Sequence, residues 1–194
     1  MSFLLGDFID RGRQGKEVLY KVISLIDEGY AIYPLRGNHE DMLLGSHNAI
    51  QEGDTRKVPT LGKTKGIRDD NRKILPKYLK LLEKLPYFYK LDNYLLVHGG
   101  FDFSKPKPFK NYESMIWIRR FETDLKLTKG RTIIHGHTRR KLSVIKKSIK
   151  TKSKIIGLDN MIHKGIRGKE DPEFGHMLCL DLDSLELFIQ KNVG

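Results

Sequence analysis

Short apolar runs, each stopping at a glycine or an aspartate, set the rhythm of the chain. Residues 2–5 are apolar and end at Gly6, the pattern of a buried strand that feeds a loop. Val18, Leu19, Val22, Leu25 and Ile26 then recur at helical spacing, and Gly29 ends the helix. Residues 30–35 predict a second strand leading into a loop with Gly37, and residues 40–52 predict a helix. From 53 to 73 the chain is polar, basic and without a period, the composition of a lid, a binding loop or a mobile stretch; contacts to substrate are expected here. Helical spacing returns over 74–85. Residues 87–91 and 94–97 predict paired strands about the turn at Asp92 and Asn93. A helix is expected over 112–125 and a strand over 132–134. Three more strands are expected over 154–158, 177–182 and 185–189, the last two joined by a turn at Asp183 and Ser184. Helices alternate with strands early and strands dominate late, which predicts a layered α/β fold. No internal repeat or boundary is visible, so residues 1–194 read as a single domain.

Composition narrows the class. With 194 residues, 39% of them hydrophobic and 31% charged, the chain is long and apolar enough for a globular core and unlike a disordered tail. No apolar run reaches the roughly 20 residues of a membrane-spanning helix, and residues 3–5 lead into Asp7 without the features of a signal peptide. Cys179 is the only cysteine, so there is no disulfide framework, and a reducing cytoplasm is expected. Its surroundings predict a small core residue on a strand. The formal net charge is +12, with basic residues gathered over 56–90, 105–110 and 139–154. That field favours anionic partners such as phosphorylated substrates, and it is read as a lysine-rich solvated surface rather than a dedicated nucleic-acid patch.

Four polar clusters follow predicted strands: Asp7 to Arg11, Asn38 to Glu40, His98, and His135 to His137. Loops beyond the carboxyl ends of strands are where α/β proteins build sites. Carboxylate, amide and imidazole together suit manganese, iron or zinc and differ from a thiolate structural site. His47, His163 and His176 have no such motif around them and read as structural.

The segments G-D-F-I-D-R-G (6–12), R-G-N-H-E (36–40), L-L-V-H-G-G (95–100) and H-G-H-T (135–138) resemble, in order and spacing, the calcineurin-like metallophosphoesterases. The likeness is to the bacterial branch of the serine/threonine phosphoprotein phosphatases, which includes related diadenosine tetraphosphate hydrolases. It implies an α/β/β/α sandwich and hydrolysis of a phosphomonoester by a metal-bound hydroxide. The substrate it implies is phosphoserine or phosphothreonine in a protein; the alternative is a diadenosine tetraphosphate or another small phosphorylated metabolite. It also implies two divalent ions, manganese first, with iron and zinc as alternatives. Asp7 would bridge them, and Asn38, His98 and His137 would complete the shell of the second. His39 would be the general acid, oriented by Asp10. Arg11 would grip the phosphate with a second arginine, Arg119, which fits a W-x-R pattern over 117–119. His135 receives no role.

The chemistry explains these residue types. Two metals about 3.5–4 Å apart bind nucleophile and transferring oxygens together, and coordination lowers a water's pKa from about 15.7 towards about 7. Arginine's planar fork matches phosphate oxygens in pairs. A histidine held by a carboxylate releases its proton near neutral pH.

The family's G-D-x-H-G motif, whose Asp and His bind the first metal, does not occur in the 194 residues. The expectation is therefore an N-terminally truncated member, lacking the first strand and helix. Such a chain would be a weak enzyme or an inactive phosphate-binding relic.

Overall fold

The computed structural model describes residues 1–54, 64, 66–163 and 171–192. Residues 55–63 and 65, part of the basic stretch where substrate contacts are expected, lie outside the described residues. The chain divides into two compact units, Met1–Tyr87 and Phe88–Gly194. Strands and helices mix in both, so the fold class is α/β as expected. Among the described residues no helix is long and apolar enough to cross a membrane.

In the first unit, β1 (Ser2–Leu4) and β2 (Ile32–Pro34) pair in parallel, with Phe3 opposite Tyr33 and their rings stacked 5.2 Å apart. Parallel neighbours need a crossover, and α1 (Gly15–Asp27) supplies it. Gly29, at φ +88°, ends α1 where the sequence predicts. Gly29 N–H donates to Ile26 and Tyr30 N–H to Leu25, the paired bonds that satisfy a helix's last carbonyls.

The helix α2 (Asn38–Gln51) begins two residues before the expected start, and α3 (Pro76–Lys84) carries its proline in the first turn. Ile9, Leu19, Leu43, Ile67, Tyr78 and Leu82 close one core among these helices and the loops after β1 and before α3. Buried His47 holds the loop before α3 to α2. Its Nδ1 accepts from Ile74 N–H at 3.0 Å, beside an antiparallel bridge between Arg68 and Ile74.

In the second unit, β3 (Phe88–Lys90), β4 (Tyr94–Val97), β5 (Thr132–His135) and β6 (Ile155–Gly157) form one sheet in that order. The first pair is antiparallel and the other two are parallel. Leu95, Leu96 and Val97 are all buried, as are Ile133 and Ile134, so β4 and β5 are covered on both faces. That accounts for their continuous apolar runs.

Three expectations need correction. The helix expected over 112–125 is the short α4 (Tyr112–Trp117). Gly99 N–H takes the Met115 carbonyl at 2.6 Å, and Ile118 turns to extended backbone. A further helix, α5 (Leu142–Lys150), lies where only basic residues were noted; it buries Ile145 and Ile149 and packs on β6. Cys179 does lie on a strand, β7 (His176–Leu180), which pairs antiparallel with β8 (Leu187–Lys191). Its thiol is exposed and is not a core residue.

Leu43 is fully buried in the core of the first unit. Replacing it with alanine is expected to cost about 2–5 kcal/mol of stability, read from the urea midpoint.

Candidate active site

The site residues of the first unit sit on two loops that one carboxylate ties together. Glu40, fully buried in the first turn of α2, accepts Asp7 N–H at 2.8 Å and Gly37 N–H at 3.0 Å on Oε2. Its Oε1 accepts Phe8 N–H at 2.8 Å. The bond to Gly37 is half of a capping box, and the other two reach from the end of β2 to the end of β1. Gly37 must be glycine, because a Cβ there would collide with Asp7 Oδ1 and lie 2.7 Å from Glu40 Oε2.

The loop after β1 is wound tightly. Asp7 has φ +59° and Asp10 φ +78°. Arg11 N–H donates to Ile9 O at 3.0 Å, so Asp10 is the centre of a strained γ-turn. Such conformations persist only where the surroundings enforce them, and they gather at functional sites. Here they bring expected site residues together. Asp7 Oδ1 accepts His39 N–H at 3.2 Å, and Asp10 Oδ2 lies 2.9 Å from His39 Nδ1. His39 Nε2 is 3.9 Å from Asp7 Oδ2. Asn38 and His39 are both buried at the start of α2, while Arg11 is exposed. Arg36 is taken up elsewhere: its guanidinium donates to the carbonyls of Leu82 and Glu83 at the end of α3 and pairs with Asp41.

In the second unit, His98 follows β4 and His137 follows β5, and both are buried. His98 Nε2 lies 3.2 Å from His137 Nδ1. His137 Nε2 lies 3.2 Å from the Trp117 carbonyl, which can only accept. The proton of a neutral His137 therefore sits on Nε2, leaving the Nδ1 lone pair towards His98, the orientation a metal-binding imidazole needs. His137 holds φ +57°, and the indole of Trp117 meets its ring edge-on at 6.2 Å. Arg119 Nη1 donates to the His137 carbonyl at 3.2 Å.

Two glycines permit this approach. A Cβ on Gly99 would meet Met115 O at 3.0 Å, and one on Gly100 would strike the Phe121 ring. His135 differs from His137. Its Nδ1 donates to the Gly136 carbonyl at 2.9 Å and its Nε2 is buried without a partner. Burial lowers its pKa to about 4, so it is neutral at physiological pH.

Glu40 and the pair Gly99 and Gly100 stand inside the quoted segments R-G-N-H-E and L-L-V-H-G-G without a role being read for them, and the Trp117 carbonyl leaves no signal in the sequence.

The family model of the calcineurin-like phosphoesterases matches residues 2–153. The chain belongs to this family. Among curated relatives it is 33% identical over 98 residues to the serine/threonine-protein phosphatase rdgC of Drosophila melanogaster, covering 50% of this chain and 14% of that protein. It is 35% identical over 101 residues to serine/threonine-protein phosphatase with EF-hands 1 of Rattus norvegicus, covering 49% and 14%. The chain thus matches about one seventh of these relatives' own length. Among solved structures, a "putative diadenosine tetraphosphatase" aligns with a TM-score of 0.58 and 16% identity, over 97% of this chain and 78% of that one. A cold-active protein-tyrosine phosphatase of a psychrophilic Shewanella species aligns with a TM-score of 0.61 and 20% identity, over 96% and 68%. At these identities the likeness is one of fold, and the fold of this phosphoesterase is theirs.

Glu40→Gln would turn an amide N–H₂ towards backbone N–H donors. A loss of about 2–3 kcal/mol is expected in denaturant unfolding.

Proposed function

We propose that this phosphoesterase hydrolyses phosphomonoesters with the help of divalent metal ions, acting as a serine/threonine protein phosphatase. The observation that carries the reading is the imidazole of His39, held by Asp10 at 2.9 Å inside the family's G-D-F-I-D-R-G and R-G-N-H-E segments. A phosphate-binding protein without catalysis has no use for an oriented acid. With Nδ1–H committed to Asp10, protonated His39 gives its Nε2 proton to the leaving oxygen. Arg11 and Arg119 bind the phosphate oxygens, where guanidinium geometry suits paired contacts.

Asp7, Asn38, His98 and His137 would hold the second ion and, through Asp7, share the first. The lone pair that the Trp117 carbonyl leaves on His137 Nδ1 supports that assignment. Bound ions supply positive charge to the phosphate and a lowered pKa to water. Manganese suits this mixed carboxylate, amide and imidazole set, with iron and zinc as alternatives. The match of one family model across residues 2–153 supports a single catalytic domain that includes both units. The single cysteine supports a cytoplasmic setting.

The second reading keeps the site and changes the substrate to a diadenosine tetraphosphate or another small phosphorylated metabolite. A third, from another class, is a weak or inactive phosphate-binding relic.

Turnover of p-nitrophenyl phosphate, with and without manganese, separates these when bound metal is counted on the same sample. Two ions with turnover support the phosphatase reading; one ion and no turnover favours the relic. His39→Asn is expected to lower kcat by about 10²–10⁴-fold, and Asp7→Asn to lose bound metal as well. Unaffected turnover in both variants would sink the proposed site.

A further inference from the structure

Between Asp124 and Asp159 the chain carries eleven lysines and arginines and no acidic side chain. The fold gathers much of this charge on α5 and its flanks, all within the second unit. At about 3.6 residues per turn, Ser143, Lys146, Lys147 and Lys150 share one face of α5, turned away from buried Ile145 and Ile149. Those three lysines are exposed, as are Arg139 and Lys141 before the helix and Lys152 after it. Among the described residues none of these cations forms an ion pair. Glu173 packs at the start of α5, but its Oε2 is taken by Ser143, from the backbone N–H at 2.9 Å and the hydroxyl at 2.7 Å. Those bonds lower the Glu173 pKa most, and Lys141 and Lys146 lower it further.

The helix gains little of its own from this arrangement. Lys146 and Lys150 stand at i and i+4, and Lys147 and Lys150 at i and i+3, spacings at which like charges destabilise a helix. The negative end of the helix dipole welcomes Lys147 and Lys150, but Arg139 and Lys141 lie at the positive end, where cations are disfavoured. The helices α1 and α3, by contrast, mix lysines with acidic residues. A one-sign surface that its own helix does not favour is relieved by an anion from outside.

We propose that the exposed face of α5 docks on the phosphate backbone of duplex DNA. A helix lying on a membrane turns large apolar side chains outward, and the exposed face of α5 has only Val144. Single strands are held by aromatic stacking, and residues 125–158 contain no Phe, Tyr or Trp. The major groove of B-form DNA admits a helix, whereas that of A-form RNA is deep and narrow. The helix itself has no Arg, Asn or Gln for paired contacts to base edges, so the docking follows the backbone and does not read sequence. Its nine residues make it about 14 Å long, a length over which duplex DNA presents about eight phosphates. The docking is independent of the hydrolytic reading.

The test follows fluorescence anisotropy of a labelled DNA duplex of about 20 base pairs with the purified full chain, between about 50 and about 200 mM NaCl. The association constant is expected to fall with salt at a log–log slope of about −4 to −5, about −0.9 for each phosphate neutralised. Lys146→Gln, Lys147→Gln and Lys150→Gln together should make the slope shallower by about 2.7 and weaken binding at least about tenfold at about 100 mM NaCl. A matched variant, Lys80→Gln, Lys84→Gln and Lys90→Gln, removes the same charge from exposed positions elsewhere and should move the slope by less than about 1. Equal effects of the two triple variants overturn the proposal, because the field of the whole protein then accounts for binding. A slope flatter than about −2 overturns it as well. So does tighter binding of a single strand, an RNA duplex or phosphatidylserine vesicles. If circular dichroism shows the α5 triple variant unfolded, Lys146→Gln alone decides: a slope shallower by about 1 supports the docking, and an unchanged slope overturns it.

Discussion

The first unit depends on a carboxylate that never meets solvent. Glu40 gathers three backbone N–H groups, from Asp7, Phe8 and Gly37, that strand ends and a helix start would otherwise leave unpaired in the interior. Because the donors come from two loops, the same bonds set the distance between them. Asp7 is thereby brought against the start of α2 and Asp10 against the His39 ring. Local strain at Asp7 and Asp10 is tolerable only because this cross-link, and the core around Ile9, leave those loops little freedom.

The second unit solves a similar problem by subtraction. Gly99 and Gly100 remove the Cβ atoms that would push residues 115–121 away. The short helix α4 then ends where its last carbonyls serve other donors: Met115 serves Gly99, and Trp117 serves His137. The histidine's tautomer is set by main chain, which a side-chain substitution does not readily disturb.

Most strands were legible because each is a brief apolar run closed by glycine or aspartate, and a sheet buried on both faces needs such runs. The loops carrying Asp7, Asp10, Asn38 and His39 were legible because their residue types are costly to place without a purpose. What escaped follows from physics that pattern alone does not carry. The apolar spacing over 112–125 is helical, yet a tertiary hydrogen bond to Met115 ends the helix early. In α5 the apolar Leu142, Ile145 and Ile149 are diluted by lysines that face water, so charge masked the period. The exposure of Cys179 reflects a β7–β8 hairpin whose alternate residues face solvent, which a short apolar strand does not announce.

Trp117 is the only tryptophan of the chain; it is partly exposed, its carbonyl faces His137 Nε2 and its indole stands edge-on to that imidazole. Indole emission responds to nearby charge and to polarity. The protein therefore carries its own optical reporter beside one candidate ligand, and the light it emits is tied to the electronic state of a single histidine without any label being attached.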